Sequence, residues 1–213
     1  MNRPRTYDTL DDPAELARYG GWSEAVYRDF AALTRGELSR DDFDRRYLRT
    51  QAVMVLDLTG FTAAAMEQGA LDSLIRIFDA RRLCIPVLIE RGASFVRAFA
   101  DDLVAVFDTP EPGVDAALEI HERLNAWGAA RDEPTSPEAC IGLGFGPMYG
   151  IGANRAMGLE MNLASKLGED TARGGETLVT DSAHAQLASR SDLHFERCRA
   201  QETGYPYYRV ARR

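Results

Sequence analysis

The sequence contains no apolar run long enough to cross a lipid bilayer. Its longest apolar runs cover residues 52–56 and 83–89, whereas a membrane-spanning helix needs roughly 18 to 20 apolar residues. Two arginines lie among the first five residues, but no hydrophobic stretch follows them, so the pattern of a signal peptide is absent. We therefore expect a cytoplasmic protein without a membrane anchor.

Cysteine is scarce as well. The three cysteines, Cys84, Cys140 and Cys198, show no CxxC spacing, so neither a disulfide framework nor structural zinc is indicated. A folded chain of 213 residues buries roughly 70% of the surface that its unfolded form exposes, which is enough for a core without cross-links. We expect the three thiols to be reduced.

Basic residues are in the minority. The chain has 33 acidic and 25 basic residues, a net charge of −8, and no block dense in basic side chains. Nonspecific binding to nucleic acid is therefore disfavoured, because it depends on neutralising phosphates. Lys166 is the only lysine, and every other basic residue is arginine.

Residues 1–50 differ from the rest of the chain because they are charged, aromatic and helical in pattern. Apolar residues recur at helical spacing at Trp22, Val26, Phe30 and Leu33. Ser39 is the expected cap of a second short helix that ends near Tyr47. We predict a helical preface without strands, which packs on the main domain or on a partner subunit, followed by one domain over residues 51–213.

From residue 51 onwards the pattern alternates between strands and helices. A buried strand at 52–56 is followed by a short helix at 60–69, a longer helix at 70–91 and a tight hairpin at 94–107. The elements predicted next are a helix from 108 to about 127, a strand at 139–145, a helix at 157–167, a strand at 176–180, a helix at 183–187 and closing strands near 195 and at 205–210. This order predicts an α+β fold with a ferredoxin-like βαββαβ core and added strands. The apolar side of the long helix is expected to consist of Leu71, Leu74, Phe78, Ile85 and Ile89.

Two aspartates lie where predicted strands end. Asp57 follows the first buried strand, and Asp101 lies at the tip of the hairpin. Each alone would pass for a turn or cap residue, but the first strand and the hairpin are neighbours in such a core, so the two carboxylates can converge. Carboxylates without soft ligands nearby suit hard cations such as Mg²⁺ or Mn²⁺, which also bind substrate phosphates. Residues 58–62 form a tight turn into a helix, whose N-terminus can bind phosphate oxygens.

Five motifs in series resemble the catalytic domains of class III nucleotidyl cyclases. Asp57-Leu58-Thr59-Gly60-Phe61-Thr62 resembles the D-I/L-x-G-F-T motif of that family, and residues 96–107 resemble its V-K-x-x-G-D-x-x-x-A-V-F hairpin, with Ala100 in place of the glycine. The matches continue at 141–146 (I-G-I-x-x-G), 158–167 (G-x-x-V-N-x-A-x-R-L) and 174–179 (G-x-I/L-x-V, with one extra residue). The resemblance covers about residues 51–210.

The resemblance implies a head-to-tail homodimer with two active sites at the subunit interface and a nucleoside triphosphate as substrate. Asp57, Asp101 and Leu58 would hold two divalent cations, Mn²⁺ or Mg²⁺. Gly60, Phe61 and Thr62 would bind the phosphates. The partner chain would supply Asn162, which orients the ribose, and Lys166, which takes the place of the family's arginine. Since Lys166 is the only lysine, its presence at this position is improbable by chance, although lysine offers a point charge and not a bidentate fork.

The resemblance also bears on the base. Purine cyclases of this class place a lysine four residues before the second aspartate and an aspartate or threonine seven before the asparagine, and here these positions hold Arg97 and Arg155. Arginine only donates hydrogen bonds, which disfavours adenine and suits the carbonyl oxygens of uracil or guanine. A chain of this kind is similar to the stand-alone Pycsar enzymes of phage defence, which favours UTP as substrate and cyclic UMP as product. GTP is the alternative substrate. A further alternative is that both arginines form ion pairs on the surface and that other residues read the base.

Two other functions have some support in the sequence. A cyclase-like module could bind a nucleotide and dimerise without turnover, although the retention of both aspartates and Asn162 favours an enzyme. The glycine-rich segment 142–150 suggests dinucleotide binding, but it contains no GxGxxG register and no helix start follows Pro147.

Overall fold

The computed structural model describes residues 9–59, 66, 69–130, 137–198 and 204–213. Its helices are α1 (Pro13–Tyr19), α2 (Glu24–Thr34), α3 (Arg40–Tyr47), α4 (Ala70–Glu90), α5 (Pro110–Ala129), α6 (Leu159–Ser165) and α7 (Asp181–Leu187), and a π-helix (Lys166–Thr171) continues α6. Its strands are β1 (Leu48–Leu58), β2 (Phe95–Phe99), β3 (Asp102–Phe107), β4 (Ala139–Tyr149), β5 (Thr177–Thr180), β6 (Leu193–Cys198) and β7 (Tyr207–Arg212).

The strands form one seven-stranded sheet in the order β2-β3-β1-β4-β5-β7-β6. Neighbouring strands are antiparallel except β4 and β5, which are parallel. The elements β1-α4-β2-β3-α5-β4 with strand order β2-β3-β1-β4 make up the predicted ferredoxin-like core, and β5, β6 and β7 are the added strands. The predicted α+β fold is therefore confirmed.

Strand β1 runs through the centre of the sheet and is buried on both faces. Val53 and Val55 lie in a smaller core with Ala164 of α6. Met54 and Leu56 point to the opposite face, into the larger core that also contains residues of α4 and α5. This division follows from the alternation of side chains along a strand. Because Asp57 continues the series of Val53 and Val55, it lies on the α6 face of the sheet.

Helices α2 and α3 lie where the sequence predicts the two helices of the preface. Helix α2 buries Val26, and α3 begins after Ser39, whose hydroxyl accepts a hydrogen bond from the backbone N–H of Asp42 at 3.1 Å. Helix α1 was not predicted. The prediction of no strand before residue 51 is wrong, because residues 48–50 begin β1 and pair with residues 147–149 of β4. This polar start of β1 is held by its pairing with the last residues of β4. Hydrophobic periodicity does not detect pairing of that kind.

Aromatic rings attach the preface to the end of β4. The rings of Trp22 and Phe30 lie 5.0 Å apart, those of Phe30 and Phe43 4.7 Å, and those of Phe43 and Tyr149 5.8 Å, measured between centroids. The Tyr149 hydroxyl donates to Asp44 at 2.7 Å. The preface therefore packs on the main domain just before the segment that connects β4 to α6.

Helix α4 presents a different face to the core than the sequence suggests. Of the five residues expected on its apolar side, four are exposed: Leu71, Leu74, Phe78 and Ile89, by 70%, 60%, 59% and 62%. The buried side consists instead of Ser73, Ala80, Cys84, Val87 and Leu88. The expected phase of the helix is therefore wrong. Small side chains at Ala80 and Cys84 let the helix lie close to its neighbours, and larger apolar residues are left outside.

Among the described residues, no helix combines the length and the apolarity that a membrane crossing requires. Cys84, Cys140 and Cys198 are free thiols, and the first two are buried.

Candidate metal and nucleotide site

Three carboxylates meet where β1 ends and the β2–β3 hairpin turns. Oxygen atoms of Asp57, Asp101 and Asp102 all lie within 4.8 Å of one another. The antiparallel pairing of Leu56 with Leu103 brings the next residues on each side, Asp57 and Asp102, next to each other. The predicted convergence of Asp57 and Asp101 is confirmed. Asp102 was missed, although its position beside Asp101 in the hairpin was a signal for it.

The carboxylate cluster is electrostatically unfavourable without a cation. Burial raises the pKa of Asp57 to about 6, assisted by the charges of Asp101 and Asp102 and opposed by a hydrogen bond from the backbone N–H of Leu58. Burial and the charge of Asp101 also raise the pKa of Asp102. A cation bound between such carboxylates relieves their mutual repulsion and stabilises their ionised form.

The donor set suits a hard divalent cation. The cluster offers carboxylate oxygens, the ligands of Mg²⁺, Mn²⁺ and Ca²⁺. Cys140 pairs with Asp57 across the β1–β4 register, but burial, together with the charge of Asp57, raises the pKa of this thiol to about 11. The thiol is therefore protonated at neutral pH and does not provide the thiolate that a soft metal would favour.

The predicted phosphate-binding turn is only partly described. Gly60, Phe61 and Thr62 lie outside the described residues. The side chain of Leu58 is buried, 2% exposed, and the backbone N–H of Thr59 donates to the carbonyl of Glu138 at 2.8 Å. The direction of the chain as it leaves Asp57 is thus held by the segment before β4.

Two glycines of β4 and one acid of α6 position the helix that carries Asn162. A Cβ at Gly144 would lie 2.6 Å from the carbonyl oxygen of Glu160, and one at Gly142 would overlap the carbonyl of Ala164. Glu160 is buried and accepts hydrogen bonds from three donors: the backbone N–H of Phe145 and the hydroxyls of Thr180 and Ser182, at 3.1, 2.7 and 3.1 Å. The glycine-rich segment therefore serves close packing of a helix on a strand.

Asn162 lies in the middle of α6 and Lys166 at the start of the π-helix, four residues later. The two side chains therefore lie on one side of the helix. Asn162 is exposed and Lys166 half-buried. Neither lines the cavity that contains Asp102. Among the described residues, no ion pair with a carboxylate involves the Lys166 ammonium group.

Arg97 is fixed in a cavity beside the carboxylates. Its Nη1 donates to Oδ1 of Asn154 at 2.8 Å, and its guanidinium carbon lies 5.5 Å from the centroid of the Phe99 ring. The cavity has a volume of about 110 Å³, and its lining includes Arg97, Phe99, Asp102, Asn154, Ser165 and Glu169. Three lining residues were not predicted as site residues, namely Asn154, Ser165 and Glu169. None of them is at a position for which the family motifs specify a residue type.

Arg155 does not line the same cavity as Arg97. Its backbone has a left-handed φ of 51°, and its guanidinium carbon lies 5.1 Å from the centroid of Phe95. It borders a second cavity of about 300 Å³ together with Arg46 and Arg49. The two arginines predicted to face the base are thus on one sheet face but in separate cavities.

Solved structures of cyclase domains are similar to this chain, whereas no protein-family model and no curated protein matches it. An adenylate/guanylate cyclase/hydrolase from Silicibacter pomeroyi is 25% identical, with 76% of this chain and 95% of that chain covered and a TM-score of 0.64. The guanylate cyclase domain of RhGC from Catenaria anguillulae, in complex with GTP, is 19% identical, with 78% and 97% covered and a TM-score of 0.63.

A third similar structure is a guanylyl cyclase domain of the RhoGC fusion protein from Blastocladiella emersonii, in an atypical dimeric form. It is 19% identical, with 78% of this chain and 96% of that chain covered and a TM-score of 0.63. The motifs that resemble class III cyclases therefore lie in a chain whose fold is that of adenylyl and guanylyl cyclase catalytic domains.

Proposed function

We propose that this protein is a nucleotidyl cyclase that converts a nucleoside triphosphate to a 3′,5′-cyclic nucleotide and pyrophosphate. The observation that carries the proposal is the cluster of Asp57, Asp101 and Asp102, at the end of β1 and the tip of the hairpin of a cyclase-like fold. In the reaction the ribose 3′-oxygen attacks the α-phosphorus, and the bond from that phosphorus to the bridging oxygen breaks as pyrophosphate leaves.

Asp57 and Asp101 would hold two divalent cations, with Asp102 beside them and with Leu58 as a further ligand. When bound, such ions lower the pKa of the 3′-hydroxyl and neutralise the departing pyrophosphate. The chain's own contribution is to group the carboxylates on adjacent strands. Gly60, Phe61 and Thr62 would bind the phosphates of the substrate.

The site is completed by a second copy in a head-to-tail homodimer. Asn162, which would orient the ribose, is exposed on its helix, and Lys166 has no carboxylate partner among the described residues, which suits a role toward a substrate held by another subunit. Exposed apolar residues also form a stripe on α4 at Leu71, Leu74, Ile75 and Phe78. Large exposed apolar patches mark interaction surfaces, and this stripe supports association.

The proposed substrate is UTP and the product cyclic UMP, a second messenger of the kind that Pycsar-type enzymes supply in phage defence. GTP is the alternative. The support is chemical: Arg97 and Arg155 occupy the positions that face the base in the family, and guanidinium groups only donate hydrogen bonds. Uracil and guanine present carbonyl acceptors to such groups, whereas adenine presents an amino group.

The test is to incubate the purified protein with each of the four ribonucleoside triphosphates and Mn²⁺ and to identify the products by mass. We expect one cyclic nucleotide and pyrophosphate in equal amounts. Asp57→Asn and Asp101→Asn should each lower the rate by at least about 100-fold, because each removes a metal-binding charge. Asp108→Asn, an exposed position next to the hairpin, is the control.

Two results would count against the proposal. Nucleotide binding without a cyclic product would identify a module that binds and dimerises without turnover. Dominant formation of cyclic AMP would leave the reaction in place and refute the argument from the two arginines.

A further inference from the structure

We propose that Asn154, which is bound by Arg97 and lines the same cavity as Glu169, reads the edge of the base and selects bases that carry a carbonyl oxygen beside a ring N–H, namely uracil and guanine. The inference rests on the proposed function and deepens it. It assigns specificity to Asn154, a residue outside the family motifs, in the cavity that Arg97 lines, whereas Arg155 borders a different cavity.

The first step concerns the rigidity of Arg97. Its side chain leaves β2 on the face that also carries Asp57, is bound to Asn154 Oδ1 at 2.8 Å, and lies over the Phe99 ring. A guanidinium group that is held by a hydrogen bond and by a ring contact loses little freedom when a ligand binds. Arg97 lines the cavity described above.

The second step follows from hydrogen-bond chemistry. Guanidinium has donors and no acceptor, so the contact with Arg97 must use the amide oxygen of Asn154. The amide nitrogen of Asn154, with its two N–H groups, is then the part available to a ligand. Together, Arg97 and the amide nitrogen of Asn154 contribute only donors to the cavity that they share, whose lining also includes the carboxylate of Asp102 beside the proposed metal site.

The third step concerns the acceptor in the same cavity. Glu169 belongs to the π-helix and Ser165 precedes it, and both line the cavity with Arg97 and Asn154. An ionised carboxylate accepts hydrogen bonds, so Glu169 supplies an acceptor to this cavity. π-Helical turns are frequent at functional sites, and this one brings an acidic side chain to the base cavity.

A cavity that is lined by the donors of Arg97 and Asn154 and by the acceptor of Glu169 matches a carbonyl–imide edge. Uracil offers O4 beside N3–H, and guanine offers O6 beside N1–H. Cytosine and adenine carry an amino group and an unprotonated nitrogen at these positions, so their amino group would meet the donors of Asn154. A buried donor without its acceptor weakens binding strongly.

The experiment measures affinity instead of turnover, so that it does not depend on the cyclase reaction. The 3′-deoxynucleoside triphosphates of uracil, cytosine, guanine and adenine lack the attacking hydroxyl, and their dissociation constants are measured by calorimetry with Mn²⁺. We expect the wild-type protein to bind uracil over cytosine and guanine over adenine by at least about tenfold.

Asn154→Asp replaces the donating amide by an acceptor and should reduce both preferences by about tenfold. Glu169→Leu removes the acceptor and should reduce both preferences as well. Because Glu169 lies on a different element from Asn154, this variant distinguishes loss of base reading from a local defect in the loop of Asn154. The matched control is Asn125→Asp, the same change at an exposed position of α5, which should preserve both ratios. Thermal unfolding of each variant checks that it is folded.

Equal binding of amino-bearing bases by the wild-type protein would overturn the inference. So would unchanged ratios in Asn154→Asp combined with lost discrimination in Arg155→Ala, which would assign the base to Arg155. Base preference without any cyclic product from the natural triphosphates would refute the proposed function and leave this inference standing. Formation of a cyclic product with a base preference that does not change in Asn154→Asp would support the proposed function and refute this inference.

Discussion

Replacing Asp57 by asparagine should stabilise the metal-free protein. The carboxyl of Asp57 is half-buried, and burial together with the charges of Asp101 and Asp102 raises its pKa from 3.8 to about 6. One pKa unit corresponds to about 1.4 kcal/mol, so a rise of roughly two units would correspond to about 3 kcal/mol once the group is ionised. Solvent screening of a half-buried group reduces this, and we expect a gain of about 1–2 kcal/mol in the free energy of unfolding.

The sign depends on pH in a way that can be checked. Because the pKa of Asp57 is higher in the folded than in the unfolded state, the folded protein binds this proton more tightly. The contribution of Asp57 to stability is therefore greatest below pH 3.8 and is lost as pH rises through about 6. Asp57→Asn should therefore exceed the wild-type protein in stability at pH 8 and lose most of that advantage near pH 4. An asparagine also retains a donor toward Asp102.

The assay is urea denaturation with EDTA, followed by circular dichroism at both pH values. Asp108→Asn, the exposed control, should show no such difference between the two pH values. Addition of Mn²⁺ should stabilise the wild-type protein by about 2.7 kcal/mol at a hundredfold excess over its dissociation constant and the variant by much less. Equal or lower stability of Asp57→Asn at pH 8 would refute the account of the cluster as electrostatically strained.

Two further predictions concern the hairpin and the exposed helix. Ala100 has a left-handed φ of 47°, so Ala100→Gly should raise the free energy of unfolding by about 0.5–1 kcal/mol, whereas Ala98→Gly within β2 should lower it by a similar amount; urea denaturation of both variants checks this, and equal shifts would contradict it. Phe78→Glu places a charge in the apolar stripe of α4 and should convert a dimer to a monomer in light scattering at micromolar concentration, while Tyr19→Glu, an exposed aromatic of α1, should not. A dimer that survives Phe78→Glu would exclude the stripe from the interface.

The order of strands and the convergence of Asp57 with Asp101 were predictable because they depend on local signals. Periodicity identifies the strands, turn residues identify the hairpin, and the topology of the core then brings the two aspartates together. The phase of α4 was not predictable in this way. Its apolar residues occupy both sides of the helix, and close packing by Ala80 and Cys84 decides which side is buried.

The contact of Arg97 with Asn154 could not be predicted from the sequence either. Arg97 and Arg155 occupy the two base-facing positions of the family pattern, yet the left-handed backbone at Arg155 sends its side chain toward Phe95. Asn154, its neighbour, takes the place beside Arg97. The left-handed backbone angle of Arg155 and the contact of Asn154 with Arg97 occur at adjacent residues, and no motif or spacing reports that angle.

The contact between α6 and β4 has a consequence for how activity could be controlled. Main chain rests on main chain at Gly142 and Gly144, and Glu160 pins the helix to three separate donors, so no rotation of side chains can let the helix slide. Asn162 and Lys166 therefore keep their positions relative to the sheet. In the proposed homodimer, a change in activity would follow from a change in the orientation of one subunit relative to the other.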